Sequence, residues 1–133
     1  MQTPFKTETT IDDVDPEVKS YISQVLMDLA PFTTAETLIV VTAKDPLKLI
    51  SQFEADGVEY EKTKLKSMHR ISISLSEDGA KVEEEGLHED IFAAICQAKD
   101  KLVKTLSEIQ DNVISNQDRH IQINEALKAG NIH

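Results

Sequence analysis

The chain has 133 residues, 40% of them hydrophobic and 29% charged. That suits one domain with one core, in which two full domains would be cramped, and it excludes a disordered chain. No run approaches the roughly 18 apolar residues of a membrane span, and a net charge of −10 argues against nucleic-acid binding through overall basicity.

Phe5, Thr7, Thr9 and Ile11 alternate with polar residues and predict a first strand with one inward face. Asp15-Pro16 gives an N-cap with proline at the first helical position. Val18, Tyr21, Ile22, Val25 and Leu29 follow at helical spacing until Pro31 stops the helix. Leu38 to Ala43 is a β-branched run, read as a central strand. Asp45-Pro46 repeats the cap signal for a short helix through Leu47, Leu49, Ile50 and Phe53, ending at Gly57. Val58 to Lys66 has no clear period and reads as a mobile or extended connection.

His69, Ile71, Ile73 and Leu75 predict a third strand with one buried face, and Asp78-Gly79 the turn of a tight hairpin. Ala80 to Glu84 returns as a fourth strand, ended by Gly86. Ile91, Ile95, Ala98, Leu102, Leu106, Ile109 and Val113 then mark one stripe of the longest helix, with Glu89 and Asp90 at its entry. Ser115-Asn116 is expected to break it, leaving a last short helix from Gln117 to Ala129. The fold class is therefore α+β, ordered β-α-β-β-β-α. Two helices lie on one face of a mainly antiparallel four-stranded sheet, with an insertion between strands 2 and 3 and a short helical C-terminal tail.

Charge is uneven along this frame. Met1 to Glu61 has 4 lysines against 12 acidic residues, whereas Lys62 to Arg70 has 4 basic residues and no acid. Lys62, Lys64, Lys66 and Arg70 are a candidate phosphate-gripping stretch, the three lysines sharing one side of an extended chain. A charged edge that deters strand pairing is the competing reading. Lys99, Lys101 and Lys104 could meet RNA phosphates or form a solvated helix face. Lys101 and Lys104 share a flank with Gln97 and Glu108, and Lys99 points to the other side.

The remaining chemistry is sparse. The carboxylates Asp12, Asp13, Asp15 and Glu17, and Glu83 to Glu85, match no calcium loop and read as caps and turns. His69, His88, His120 and His133 are scattered without zinc-helix spacing. The single Cys96 excludes an internal disulfide and a cysteine-built zinc site, and reads as a buried structural thiol. No nucleophile elbow, phosphate loop or dinucleotide fingerprint is present, so no enzyme, cofactor or metal is expected. Met1 to Lys6 has no apolar core for a signal peptide, and a cytoplasmic protein that avoids membranes is the expectation.

Gly79 to Gly86, then Asp90-Ile91-Phe92-Ala93-Ala94-Ile95, then Asp100-Lys101-Leu102-Val103-Lys104-Thr105-Leu106, resembles the signature of the ribosome hibernation-promoting and ribosome-associated inhibitor (sigma-54 modulation protein) family. The chain looks like a divergent acidic member. The resemblance implies a single hibernation-factor-like domain over 1–115, with an insertion at about 44–66, followed by a helical tail at 116–133. It implies a ribosome-associated factor that binds RNA and proteins of the small ribosomal subunit in the decoding channel. There it would inhibit translation by steric occupancy, in stress and hibernation, without enzymatic activity. The ribosomal RNA contacts would be Lys19, Lys62, Lys64, Lys66, Arg70, Lys99, Lys101 and Lys104. Val25, Asp28, Glu108 and Gln110 stand where relatives are often basic. The alternative is therefore an acidic protein-interaction module on the same fold, which has lost ribosomal RNA binding and takes a basic protein partner. The sequence leaves the oligomeric state open.

Overall fold

The computed structural model describes residues 5–9 and 15–128, with side chains to residue 112. It divides into two compact units, Met1–Val103 and Lys104–His133. The first holds a sheet of four strands in sequential order: β1 (Lys6–Thr9), β2 (Leu38–Lys44), β3 (His69–Glu77) and β4 (Ala80–His88). β1 runs parallel to β2, and the other two pairings are antiparallel. The α+β class and element order therefore follow the sequence reading.

One sheet face carries Ile39 and Val41 of β2 beside Ile71, Ile73 and Leu75 of β3, all buried. Helices cover this face because their own stripes need cover. The helix α1 (Pro16–Leu26) buries Val18, Ile22, Val25 and Leu26, and Asp15 caps it by accepting the Glu17 N–H at 3.1 Å. The chain then tightens into a 3₁₀ turn over Met27–Phe32, which contains Pro31. Pro31 has no N–H to give the Met27 carbonyl, so α-helical pairing ends a turn before the proline. The long helix α4 (Ile91–Lys128) starts at Asp90, whose carboxylate accepts the Phe92 N–H at 3.0 Å. Its Ala94, Ile95, Ala98 and Leu102 are 0% exposed. Tyr21 of α1 and Phe92 of α4 meet edge to face, with centroids 5.2 Å apart.

Gly86 does not end β4, as the sequence suggested, but lies inside it. A Cβ there would stand 2.0 Å from the Ala94 carbonyl oxygen. The glycine is what lets α4 lie against the strand. The hairpin turn is as expected: Asp78 and Gly79 have φ of 53° and 83°, and Glu77 pairs with Ala80.

Four further expectations change. β1 is exposed along its length, with only the preceding Phe5 buried, because it is an edge strand; Ile11 lies outside the described residues. β3 is buried on both faces, since Ser72 and Ser74 are only 2% and 6% exposed. Within the supposed extended connection, Lys62–Lys66 forms a helical turn, α3, anchored by buried Leu65. α4 also runs on through Ser115-Asn116 without a break, since neither residue removes a backbone donor. The described part of the second unit is this helix alone. Among the described residues, no helix is long and apolar enough to cross a membrane.

Candidate nucleic-acid interface

The eight candidate cations fall into two groups. Arg70 and Lys99 are held by acids. Arg70 grips Glu85 with two nitrogens, at 2.7 and 3.1 Å, and reaches the Asp45 carbonyl at 3.3 Å. It belongs to a ladder across the sheet face opposite the helices. There Lys44 bridges Glu83 and Glu85 at 2.9 and 3.1 Å, and Lys81 bridges Glu83 at 3.4 Å. Register explains the ladder. Lys44, Arg70 and Leu87 are cross-strand neighbours, and so are Thr42, Ser72 and Glu85. The bond from Lys44 holds Glu83 below the usual carboxylate range. Burial pushes Glu85 up, but the bonds from Arg70 and Lys44 together outweigh it and hold it low as well. Lys99, with a side chain only 13% exposed, pairs with Asp100 at 2.6 Å and Asp28 at 2.9 Å. Those two bonds raise its pKa despite partial burial.

The other six are exposed and, among the described residues, make no ion pair: Lys19 on α1, Lys62, Lys64 and Lys66 on α3, and Lys101 and Lys104 on α4. Because Lys62–Lys66 is helical, the three lysines do not share a side. Lys62 and Lys66 lie about 40° apart around the axis, and Lys64 projects to the opposite side. Lys64 lines a groove of about 490 Å³ with Phe53, Tyr60, Leu65, Met68 and Leu87. The groove is the work of the insertion. Asp45 caps a 3₁₀ turn (Pro46–Leu49), α2 (Ile50–Asp56) follows, and Gly57 closes it in the left-handed region at φ 69°.

α4 sorts its cations by flank. Gln97 and Lys101 lie one turn apart on one side, and Phe92 and Lys99 share the other. Gln97 accepts the Leu87 backbone N–H at 3.0 Å, so the Lys101 flank looks along the open edge of β4. Phe92 instead meets Tyr21 of α1, and Lys99 meets Asp28 of the 3₁₀ turn that follows it. Leu87 thus joins two basic features: its N–H meets the Lys101 flank, and its side chain borders the groove with Lys64. Lys19 belongs to the opposite edge of the sheet, where it lines a smaller cavity of about 230 Å³ with Thr7, Thr9, Ile22 and Val41. The cations are therefore split between the two sheet edges. Lys104 opens the second unit.

Sequence reasoning missed the Lys44–Glu83–Glu85–Arg70 ladder. Its only signal was the Glu83-Glu84-Glu85 run facing the basic ends of β2 and β3, and that is visible once the strands are in register. Cys96 is half-buried rather than buried as the sequence suggests, because it lies beside the apolar stripe of α4 and not on it, 3.5 Å from the Asp100 carboxylate. His88 accepts the Asp90 N–H at 2.9 Å and so helps form the entry to α4. Among the described residues, no three His, Cys, Asp or Glu side chains gather as a metal site.

No family model matches the sequence, and no curated protein matches it. Solved structures do. A ribosomal subunit interface protein from Coxiella burnetii matches with a TM-score of 0.52 and 11% identity, over 80% of this chain and 97% of that one. The N-terminal domain of Thermus thermophilus Protein Y matches with a TM-score of 0.51 and 17% identity, over 82% and 99%. The resemblance read from the sequence holds as a likeness of fold: the sheet and helices described above share their fold with these two solved structures.

Proposed function

We propose that this protein is a ribosome-associated factor of the cytoplasm that binds the small ribosomal subunit and inhibits translation by occupying the decoding channel. The observation that carries the reading is the shared fold with a protein described as a ribosomal subunit interface protein. Exposed, unpaired lysines on both sides of the β4 edge support it. Lys101 and Lys64, with Lys62 and Lys66 beside it, would contact ribosomal RNA phosphates, and Lys19 would make a separate contact from the other edge. Lys104 would add to the charge of the second unit. Arg70 and Lys99 are the weakest of the eight candidates, because each would have to leave a carboxylate to meet a phosphate. Such a factor acts by shape and charge and needs no bond chemistry or cofactor.

The test is sedimentation of the purified protein with ribosomes at two salt concentrations. The expected result is co-migration with the small subunit that weakens as salt rises, since phosphate contacts release counterions. Failure to co-migrate at low salt overturns the proposal.

The pairing of Arg70 with Glu85 and of Lys99 with Asp28 favours a second reading. Acids have neutralised part of the basic surface, and the module then takes a basic protein partner instead of RNA. Capture of that partner would survive nuclease and fail at high salt.

A further inference from the structure

A lone helix cannot bury an apolar stripe on itself, and the described part of the second unit is only a helix. Along α4 the exposure of one stripe rises from 0% at Leu102 through 8% at Leu106 to 44% at Ile109. Beyond Ile109 the sequence continues the stripe as Val113, Asn116, His120, Ile123 and Leu127. The steps alternate between four and three, which is heptad spacing. At 100° per residue these positions fall within about 40° of a single line along the helix.

The charges are sorted around that line. The flanking positions are Gln110, Asn112, Gln117, Arg119, Asn124 and Ala126, with no carboxylate among them. The acids of the segment, Glu108, Asp111, Asp118 and Glu125, fall on outer positions. In a chain of net charge −10, this keeps carboxylates away from the seam, as pairing with an identical acidic copy requires. The stripe also matches itself. In parallel register every layer meets its own kind. Reversed about Asp118, position 109 meets 127, 113 meets 123, and Asn116 meets His120. Either way apolar layers face apolar ones and the two polar layers face each other, whereas a shifted register would set polar against apolar.

We infer that the stripe from Ile109 to Leu127 is the seam of a two-stranded coiled coil with a second copy of this chain, its register fixed by Asn116 and His120. The proposal is independent of ribosome binding. Its test is the mass of the 133-residue chain in solution over a wide concentration range, against a monomer of 14.9 kDa. The expected result is a reversible dimer. Ile123→Glu should raise its dissociation constant at least ~100-fold, because two carboxylates per dimer would enter the seam. Ile121→Glu, about 120° away from the line, should leave the dimer intact. Asn116→Leu should tighten it at least ~10-fold, since a polar seam residue sets register at a cost in stability. A monomer throughout for both the parent and Asn116→Leu overturns the inference. So does a dimer that Ile121→Glu and Ile123→Glu weaken equally.

Discussion

Gly86→Ala is a sharp test of how α4 seats on the sheet. In an ordinary strand position the change would be neutral or would help by up to about 1 kcal/mol, because alanine has less freedom to lose on folding. Gly86 is not at a positive φ, so the backbone itself would accept alanine. Space decides the sign. The added carbon would lie 2.0 Å from the Ala94 carbonyl oxygen and 2.9 Å from both the Ala94 carbonyl carbon and the Ala98 nitrogen. All three are backbone atoms, so no side chain can swing aside. The helix would have to back away by roughly 1.5 Å to restore ordinary contact. That loosens Ala94, Ile95, Ala98 and Leu102, which are fully buried. Overpacking of this kind costs about 1–3 kcal/mol, and here the upper end is expected, a fall in Tm of roughly 14 °C for a unit of this size. Urea and thermal melts followed by circular dichroism read it directly. Gly79→Ala is the comparison: nothing lies within 4 Å of that site, but φ is 83°, so only backbone strain of about 1 kcal/mol is expected. If Gly86→Ala is as stable as the parent, or milder than Gly79→Ala, the close seating of α4 is wrong.

Lys99→Met should cost only about 0.5–1 kcal/mol in a urea melt, because both of its acid partners are more than half exposed; ribosome co-sedimentation should not change. Lys101→Glu should leave the melt unaltered while weakening co-sedimentation and reducing the slope of log affinity against log salt by about one. Stability should also depend on pH in a defined direction. Glu83 and Glu85 are held low in the folded protein, so the native state binds fewer protons than the unfolded chain. Their contribution is present above the unfolded value of about 4.3 and is lost as pH falls through the folded values. Urea midpoints at a series of pH values should drop in that range, and the drop should be shallower in Glu85→Gln.

Much of the fold could be read from the sequence because local signals agreed with one another. Asp15-Pro16 and Asp45-Pro46 each mark a helix start, and both aspartates make the cap bond. Asp78-Gly79 names the hairpin turn, and the period-two pattern of Ile71, Ile73 and Leu75 names the core face of β3. What failed depended on partners distant in sequence. Gly86 looks like a stop signal until the carbonyl of Ala94 is placed over it. Ser72 and Ser74 look solvated until the Lys44–Glu85–Arg70 ladder is placed around them. Lys99 and Arg70 look like cations available to phosphate, but Arg70 is held by Glu85, 15 residues on, and Lys99 is held by Asp28, 71 residues back, as well as by its neighbour Asp100. Charge counted along a sequence cannot distinguish an available lysine from one already neutralised across the fold.

The way β1 joins the sheet bears on how the chain assembles. β2, β3 and β4 pair in chain order as antiparallel neighbours, and the last two close over the Asp78–Gly79 turn. Such hairpins form in about 1–10 μs. β1 pairs in parallel, across a crossover that contains α1, and its partners Leu38 to Val41 are made after it during synthesis. It is therefore made before its partner and cannot pair until β2 follows. A nascent strand left unpaired is a hazard if it is apolar and flat. Lys6-Thr7-Glu8-Thr9 is neither apolar nor uncharged, and its polar character keeps the waiting segment harmless until β2 arrives.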